Sequence, residues 1–414
     1  MLKVDLHTHI LPKVWPDWTR RSGYAGWIAL EHHGPGCAKM CRSEPDGRRK
    51  FFRDVGANCW DAAVRLAEMD KAGVATQVLS TVPVMFSYWA KAKDAYDLSR
   101  VLNDHIAEVC RNSPAVGEAQ SNPPPTPSRW EGAPNPRSRL AVHGSPSPLR
   151  RFVGLGTIPM QDPDLACREL ERCVRELNLP GVQIGTNVNG LNLDDPGVFK
   201  ILAEARRLGA AVFVHPWEMV QLGQHTRDAG DPATIDRMAR YWMPWLVGMP
   251  TETCIAIMSV LIGGVLDRLP DLRLCFAHGG GSFPGTIGRI AHGFECRRDL
   301  FPLEARDPRE YLARRLPAPP EGSCGGDACC GASAGNFEQP ARFWVDSLVH
   351  DARALRLVLD LFGPSRVCLG SDYPFPLGED RPGALIESLR QRGELDDECV
   401  GNLLAQSARG FLGV

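Results

Sequence analysis

The sequence predicts an α/β protein folded as a (β/α)8 TIM-type barrel, with a small insertion after strand 1 and low-complexity loop insertions. Eight short runs rich in branched apolar residues alternate with stretches of helical spacing, which is the pattern of parallel βα units. Eight such units are enough to close a barrel. Histidine and aspartate residues, which can bind metals, lie at the ends of several of these runs, and a barrel of this kind has its active site at those ends.

The predicted strands and helices follow one another along most of the chain. The predicted strands are 2–9, 76–83, 152–159, 181–187, 211–217, 273–280, 343–350 and 367–374. The predicted helices are 60–72, 93–111, 165–177, 198–208, 252–269, 284–294 and 352–362. The 414 residues are within the range of one barrel with insertions, so we expect a single domain over 1–414.

Composition and charge exclude several classes of function. Hydrophobic residues make up 43% of the chain and charged residues 23%, as in soluble globular proteins. The net charge of −2 gives no reason to expect nucleic acid or an anionic membrane as a partner. No apolar run reaches the roughly 18 residues that cross a bilayer, and no apolar signal region precedes the first strand. We therefore expect a cytosolic (cytoplasmic) protein.

Four segments depart from the barrel pattern. The segments 113–149 and 316–336 are rich in Pro, Gly, Ser or Ala and are predicted to be disordered inserts, and 222–234 is a shorter polar excursion. The segment 11–52 carries several aromatic residues, so we expect a small folded insertion over the barrel mouth.

The 14 cysteines are mostly scattered singly, as expected for buried free thiols. Cys324, Cys329 and Cys330 form the one dense group. They lack a second matching pair or a nearby histidine, so a surface loop with free thiols is a better interpretation than a structural zinc site.

The segment Asp5-Leu6-His7-Thr8-His9 contains a His-x-His at the end of the first predicted strand. Residues two apart in a strand point to the same side, so both imidazoles can face one divalent cation. His215, His278 and Asp372 lie near the ends of later predicted strands in the same way. Any one of these histidines alone would more often be a core residue, but several at matching strand ends favour one metal site.

The opening His7-Thr8-His9-Ile10-Leu11-Pro12 resembles that of the metal-dependent amidohydrolase superfamily. Longer segments are similar to its family of aminocarboxymuconate-semialdehyde decarboxylases, namely 58–61, 79–89, 213–217, 241–250, 276–281 and 370–379. The resemblance covers nearly the whole chain. The exceptions are the segments 113–149, 222–234 and 316–336, which family members lack. These are either lineage-specific loops or translated non-coding sequence.

The resemblance implies one zinc ion per subunit, bound by four residues: His7, His9, His215 and Asp372. Related binuclear enzymes use a carboxylated lysine on the fourth strand, and 181–187 contains no lysine. The resemblance also implies a catalytic role for His278, as the acid/base beside the metal. A catalytic role is expected for Asp372 as well, since either Asp372 or His278 returns a proton at the end of the reaction. The alternative for His278 is an extra metal ligand or a helix-cap partner.

The resemblance further implies a dicarboxylate substrate held by arginines and flanked by aromatic rings. Arg53 is the expected carboxylate partner in its own subunit, and Arg289 is expected to reach the neighbouring site of a homodimer. Trp245 and Phe375 resemble the residues that flank the conjugated substrate. The alternative is that both arginines are surface charges and that both aromatic residues belong to the core. Trp217, Trp242 and His350 are expected to have packing roles or no catalytic role.

The implied reaction is zinc-dependent, non-oxidative decarboxylation of 2-amino-3-carboxymuconate 6-semialdehyde to 2-aminomuconate 6-semialdehyde. In tryptophan breakdown through kynurenine, this step limits quinolinate formation. No organic cofactor is expected, since no Gly-rich phosphate loop follows a predicted strand. Two alternatives stay open: a hydrolase of a lactone or amide in the same superfamily, and a catalytically impaired dimeric barrel.

Overall fold

The computed structural model of the chain describes residues 1–117, 149–217, 219, 238, 240–316 and 336–414. The segment 222–234, the dense cysteine group, and all but the ends of 113–149 and 316–336 lie outside the described residues. The predictions for these segments therefore stay predictions.

The described strands, in chain order, are β1 Val4–Ile10, β2 Ile28–Gly34, β3 Cys37–Ser43, β4 Arg49–Gly56, β5 Thr76–Thr81, β6 Phe152–Gly156, β7 Gly181–Gly185, β8 Ala211–His215, β9 Arg273–Phe276, β10 Arg314–Arg315, β11 Phe337–Gln339, β12 Trp344–Asp346 and β13 Val367–Cys368. The described α-helices are α1 Trp18–Ser22, α2 Ala62–Ala72, α3 Ala92–Asn112, α4 Pro163–Arg175, α5 Pro196–Leu208, α6 Met249–Ile262, α7 Val265–Arg268, α8 Phe283–Cys296, α9 Ala352–Phe362, α10 Ala384–Gln391, α11 Asp397–Gly401 and α12 Ser407–Leu412.

Eight parallel strands form the barrel, in the order β1-β5-β6-β7-β8-β9-β12-β13. The last and first strands are joined by backbone hydrogen bonds from Leu6 N to Leu369 O and from His9 N to Tyr373 O, each 2.8 Å long. Every barrel strand overlaps one of the eight predicted runs. The predicted (β/α)8 barrel is therefore confirmed.

The helices between the strands begin and end at residues suited to those positions. Asp61, Asp162 and Asp351 accept backbone N–H groups at the starts of α2, α4 and α9. Gly73 and Gly209 end α2 and α5 in the left-handed conformation that glycine adopts without strain. These caps turn the chain back into the next strand, so that the strand ends meet at one face of the barrel.

A small sheet and a short helix follow β1 before the first barrel helix. Strands β2, β3 and β4 pair antiparallel, and α1 packs with them around the buried side chains of Trp18, Trp27 and Met40. This is the region of the predicted insertion at 11–52, although its last strand continues to Gly56. Strand β4 carries Arg53 toward the barrel mouth.

The stretch Pro244–Ile262 corrects the expectation that no segment is long and apolar enough to cross a bilayer. It is helical over 19 residues, through a π-helical turn at Pro244–Gly248 and then α6, and passes that test by length and composition. However, 44% of it is buried, and Ala256, Ile257 and Val260 pack in the core. A core helix of a barrel meets the same criterion, so the stretch is weak support for a membrane span.

Arg65 on α2 is completely buried behind strand β1. Its guanidinium donates to the carbonyl of His9 at 2.7 Å and to Thr8 Oγ1 at 3.1 Å, and it lies 4.7 Å from the ring of Tyr373. A buried guanidinium is tolerated only when its donors are satisfied. Arg65 therefore ties the first helix to the strand that carries the His-x-His.

We expect Arg65→Ala to lower the free energy of unfolding by roughly 3–5 kcal/mol, because it leaves a cavity and buried carbonyls without donors. Urea denaturation followed by circular dichroism measures the change. The matched control is Arg168→Ala, since Arg168 is an exposed arginine on α4. Equal stability of the two variants would contradict the prediction.

Candidate metal centre and active site

Four side chains of the predicted metal site meet at one end of the barrel. His7 and His9 lie on β1, His215 is the last residue of β8, and Asp372 follows β13. One ligand atom from each residue lies within 4.8 Å of those from the other three. The three histidines are buried, and the Asp372 side chain is only 13% exposed.

Hydrogen bonds behind the three imidazoles orient them. The Nδ1 atom of His7 lies 2.7 Å from Asp346 Oδ2, that of His9 lies 3.1 Å from the Thr81 carbonyl, and that of His215 lies 2.9 Å from the Pro216 carbonyl. Each acceptor favours the tautomer in which Nδ1 carries the proton. The Nε2 lone pairs are then free for a metal ion, as is usual for metal-binding histidines.

The atoms at the centre of the site fit a divalent cation. Nε2 of His7 lies 3.2 Å from Nε2 of His9, and Asp372 Oδ1 lies 3.0 Å from the latter. Nε2 of His215 is buried and has no hydrogen-bond partner within the described part of the chain. An orphaned buried nitrogen facing two imidazoles and a carboxylate is costly unless a ligand fills the space. Three imidazoles and one carboxylate form a typical donor set for zinc.

Two of the three imidazoles are in the neutral form that binds a metal ion. Burial lowers the pKa of His9 and of His215, so both rings are neutral near pH 7. Burial lowers the pKa of His7, but the hydrogen bond with Asp346 and the charge of Asp372 outweigh it, so the pKa of His7 is raised. Burial raises the pKa of Asp372, but the hydrogen bond with His9 and the nearby charge of His7 outweigh it, and the pKa falls to about 2. Two neutral imidazoles therefore face an ionised carboxylate.

His278 lies beside this group and is not one of its four converging ligands. Its ring centroid is 5.2 Å from those of both His7 and His215. Nδ1 of His278 is buried with no hydrogen-bond partner among the described residues. Burial, followed by repulsion from His7, lowers the pKa of His278 to about 4. The ring is therefore a neutral base next to the candidate metal centre.

The turn that carries His278 has an unusual backbone. His278 has φ 57°, and Gly279, Gly280 and Gly281 also have positive φ. A side chain such as histidine adopts this conformation rarely and at some cost, and such residues cluster at functional sites. The three glycines that follow allow the turn to present His278 to the pocket.

A cavity of about 340 Å³ opens over the site. His9, His215, His278 and Asp372 form its floor, and Arg53 lies at its side with its guanidinium 4.5 Å from the ring of Phe375. The other described lining residues are mostly apolar or aromatic: Phe52, Val82, Pro83, Val84, Trp217, Trp242, Trp245, Leu246, Met249, Pro250, Gly281, Leu348, Val349, His350, Ala354 and Leu377. The described lining therefore offers the guanidinium of Arg53 and flat apolar walls beside the candidate metal centre.

Most residues that were expected to form the site are brought together, and Arg289 is not. Arg53, Trp245, Phe375 and His278 all line the cavity, and His7 lies beneath its floor. Arg289 is exposed on α8 and is not part of the described lining. Its predicted role in a neighbouring subunit stays a prediction.

Four residues contribute to the site although the sequence did not predict a role for them there. Trp217, Trp242 and His350 line the cavity, although packing or no role was expected for them. Asp346, which accepts a hydrogen bond from His7, has no role predicted from the sequence. Its available signal is a single carboxylate in the otherwise apolar run Phe343-Trp344-Val345-Asp346.

Comparison with known proteins agrees with the fold. The family described as Amidohydrolase matches residues 4–414. A 2-amino-3-carboxymuconate-6-semialdehyde decarboxylase of Dictyostelium discoideum is 47% identical, over 100% of this chain and 92% of its own length. The enzyme of the same name from Caenorhabditis elegans is 33% identical, over 96% of this chain and 91% of its own length.

A solved structure shows the same fold. The 5-carboxyvanillate decarboxylase of Novosphingobium aromaticivorans, complexed with manganese and 4-hydroxy-3-methoxy-5-nitrobenzoic acid, superposes with a TM-score of 0.65. It is 16% identical and covers 100% of this chain and 96% of its own. The chain therefore belongs to the amidohydrolase family and, within it, groups with the carboxy-lyases named 2-amino-3-carboxymuconate-6-semialdehyde decarboxylases.

Proposed function

We propose that this chain converts 2-amino-3-carboxymuconate 6-semialdehyde to 2-aminomuconate 6-semialdehyde and carbon dioxide, with one zinc ion per subunit. The main structural support is the cavity, which places a cation and aromatic walls beside four converging metal ligands. The substrate assignment is supported by the names of the two relatives, one of which is 47% identical.

His7, His9, His215 and Asp372 would hold the metal. When bound, the ion supplies Lewis acidity to the site. Zinc is supported by the imidazole-rich donor set, although the solved decarboxylase above contains manganese. Metal analysis of the protein as purified, with activity measured after reconstitution with each metal, distinguishes the two ions.

Arg53 and the aromatic residues bind the substrate in this proposal. The guanidinium of Arg53 presents paired donors to a carboxylate, a geometry that lysine does not reproduce. The ring of Phe375 lies under this guanidinium, and Trp245 lines another part of the cavity. A planar conjugated dicarboxylate matches both the cation and the flat apolar surfaces.

His278 is the group that transfers a proton to the substrate in this proposal. As a neutral base it can take up a proton at its unpartnered Nδ1, and once protonated it is a strong acid because the charged form is buried. Protonation of the substrate carbon breaks its conjugation and leaves the carboxylate on a saturated carbon. As carbon dioxide departs, the electron pair of the broken C–C bond re-forms the conjugated double bond at that carbon, which keeps the added proton. One proton, supplied to His278 by solvent, is consumed, and no oxidant is required.

The reaction is tested by following the near-ultraviolet absorbance of the unstable substrate, generated in place from its aromatic precursor. We expect the metal-loaded protein to accelerate the loss of this band relative to an enzyme-free control. An unchanged decay rate with metal bound would contradict the proposed substrate.

We also propose that this reaction acts in tryptophan breakdown through kynurenine, where it diverts the intermediate from quinolinate. This placement depends on the substrate assignment. A cytosolic location is proposed as well, supported by the ordinary soluble composition and the net charge of −2.

We expect Arg53→Ala to lower kcat/KM by about 10- to 100-fold through KM, because a charge-assisted contact with a carboxylate is lost. Arg53→Lys should recover only part of this loss. Steady-state kinetics measure the effect, with Arg49→Ala as the control because Arg49 lies on the same strand and outside the described lining of the cavity. Wild-type kcat/KM in Arg53→Ala would contradict the role.

The proposed homodimer, in which Arg289 completes the neighbouring site, can be tested by mixing two inactive variants. Arg289→Ala and His278→Ala should each be poorly active. After subunit exchange, about a quarter of all sites would contain both residues, because each mixed dimer has one intact site. Steady-state turnover of the mixture should therefore rise above that of either variant alone. No rise, despite exchange shown by mass spectrometry, would contradict a shared site.

A further inference from the structure

Asp346 joins the candidate metal centre to the turn that carries His278. It is the last residue of β12 and is completely buried. Its Oδ2 accepts a hydrogen bond from Nδ1 of His7 at 2.7 Å. Its Oδ1 accepts the backbone N–H of Gly279 at 2.8 Å and that of Leu348 at 3.1 Å. One carboxylate therefore contacts a metal ligand and the residue next to His278.

The packing around Asp346 leaves little room for another arrangement. A Cβ atom at Gly370 would lie 2.8 Å from the Cβ of Asp346 and 3.0 Å from that of His7. A Cβ atom at Gly279 would lie 2.3 Å from Val349 Cγ1. Glycine at both positions lets the segment that follows β13 and the His278 turn close around the carboxylate. The position of the Asp346 carboxylate is therefore fixed by the segments packed around it.

We propose that Asp346 is a positioning residue that orients the metal ligand His7 and the acid/base His278 together. Through Oδ2 it holds the proton on Nδ1 of His7, so that Nε2 faces the metal. Through Oδ1 it anchors the strained turn at Gly279, which sets where the imidazole of His278 stands. The inference rests on the proposed metal-dependent reaction.

The informative variant is Asp346→Asn, which keeps the shape and replaces one acceptor with an NH2 donor. The amide can accept from His7 or from Gly279, but its other edge then meets an N–H group. Either orientation disturbs one of the two partners. Asp346→Glu keeps the charge and lengthens the side chain, and it serves as the second variant if the asparagine variant does not fold.

The matched control is Glu169→Gln. Glu169 is also a completely buried carboxylate, held by Asn103 and Arg172 in the helical layer. Its replacement makes the same chemical change away from the metal ligands. Thermal unfolding of both variants shows whether they lose similar stability.

Chelator competition measures the zinc affinity of each variant. The visible spectrum of the Co²⁺-substituted protein reports the geometry of the metal ligands. Steady-state kinetics at saturating zinc give kcat and KM. For Asp346→Asn we expect zinc binding weakened about 10- to 100-fold and an altered Co²⁺ spectrum. We also expect kcat at saturating zinc to fall by about tenfold or more, with KM changed less. Glu169→Gln should show none of these changes.

Wild-type zinc affinity and an unchanged Co²⁺ spectrum in Asp346→Asn would overturn the proposed role toward His7. Full kcat at saturating zinc would overturn the role toward His278. The metal measurements need no substrate, so a failure of this inference can be distinguished from a failure of the proposed reaction.

Discussion

His278→Ala is expected to lower kcat by about 10²- to 10⁴-fold while the protein keeps its bound metal, because general acid–base catalysis contributes a factor of this size. The imidazole stands next to the metal ligands, and its Nδ1 has no hydrogen-bond partner among the described residues. Alanine removes the proton carrier without removing a ligand. Turnover and metal content, measured on the same preparation, test both parts of the expectation.

His33→Ala is the matched control, since His33 is an exposed histidine on β2 of the insertion. It should keep wild-type kcat and metal content. Near-normal turnover in His278→Ala would exclude the acid/base role. Loss of the metal together with activity would instead identify His278 as a ligand.

Removing the metal is expected to abolish turnover and to destabilise the protein. The chelated protein leaves three imidazoles and the carboxylate of Asp372 facing one another in a buried space. Zinc that binds only the folded state stabilises it by about 4 kcal/mol when free zinc exceeds its Kd roughly a thousandfold. Differential scanning calorimetry should show a lower Tm for the chelated protein, and added zinc should restore both Tm and activity.

His215→Ala is the variant that matches chelation, because it removes one ligand of the group of four. It should bind zinc weakly and show little rise in Tm when zinc is added, whereas His33→Ala should respond like the wild type. Full activity of the chelated protein, or an unchanged Tm on adding zinc, would contradict a metal-dependent site.

Much of the barrel was predictable because its signals are local. The alternation of apolar runs and helical stretches indicates each βα unit, and all eight barrel strands were found. Except for β1, which ends one residue beyond its predicted run, the strands end earlier than predicted: the run 343–350 contains only the short strand Trp344–Asp346. The error has a physical reason, since Leu348 in the following loop is apolar and buried like a strand residue.

The metal ligands were also visible in the sequence, because His7 and His9 share one strand and Asp372 follows another. The residues that hold these ligands in place were not visible in the sequence. Asp346 lies 339 positions from His7, and Arg65 lies 56 positions from the His9 carbonyl to which it donates. Such contacts form only when the barrel closes, so no local sequence pattern predicts them.

The most direct test of the account measures carbon dioxide and dissolved oxygen while the metal-loaded protein consumes the carboxymuconate semialdehyde. We predict one carbon dioxide released per substrate molecule, no oxygen uptake, and no release from the chelated protein. Substrate loss without carbon dioxide, or release that requires oxygen, would contradict non-oxidative decarboxylation by this site.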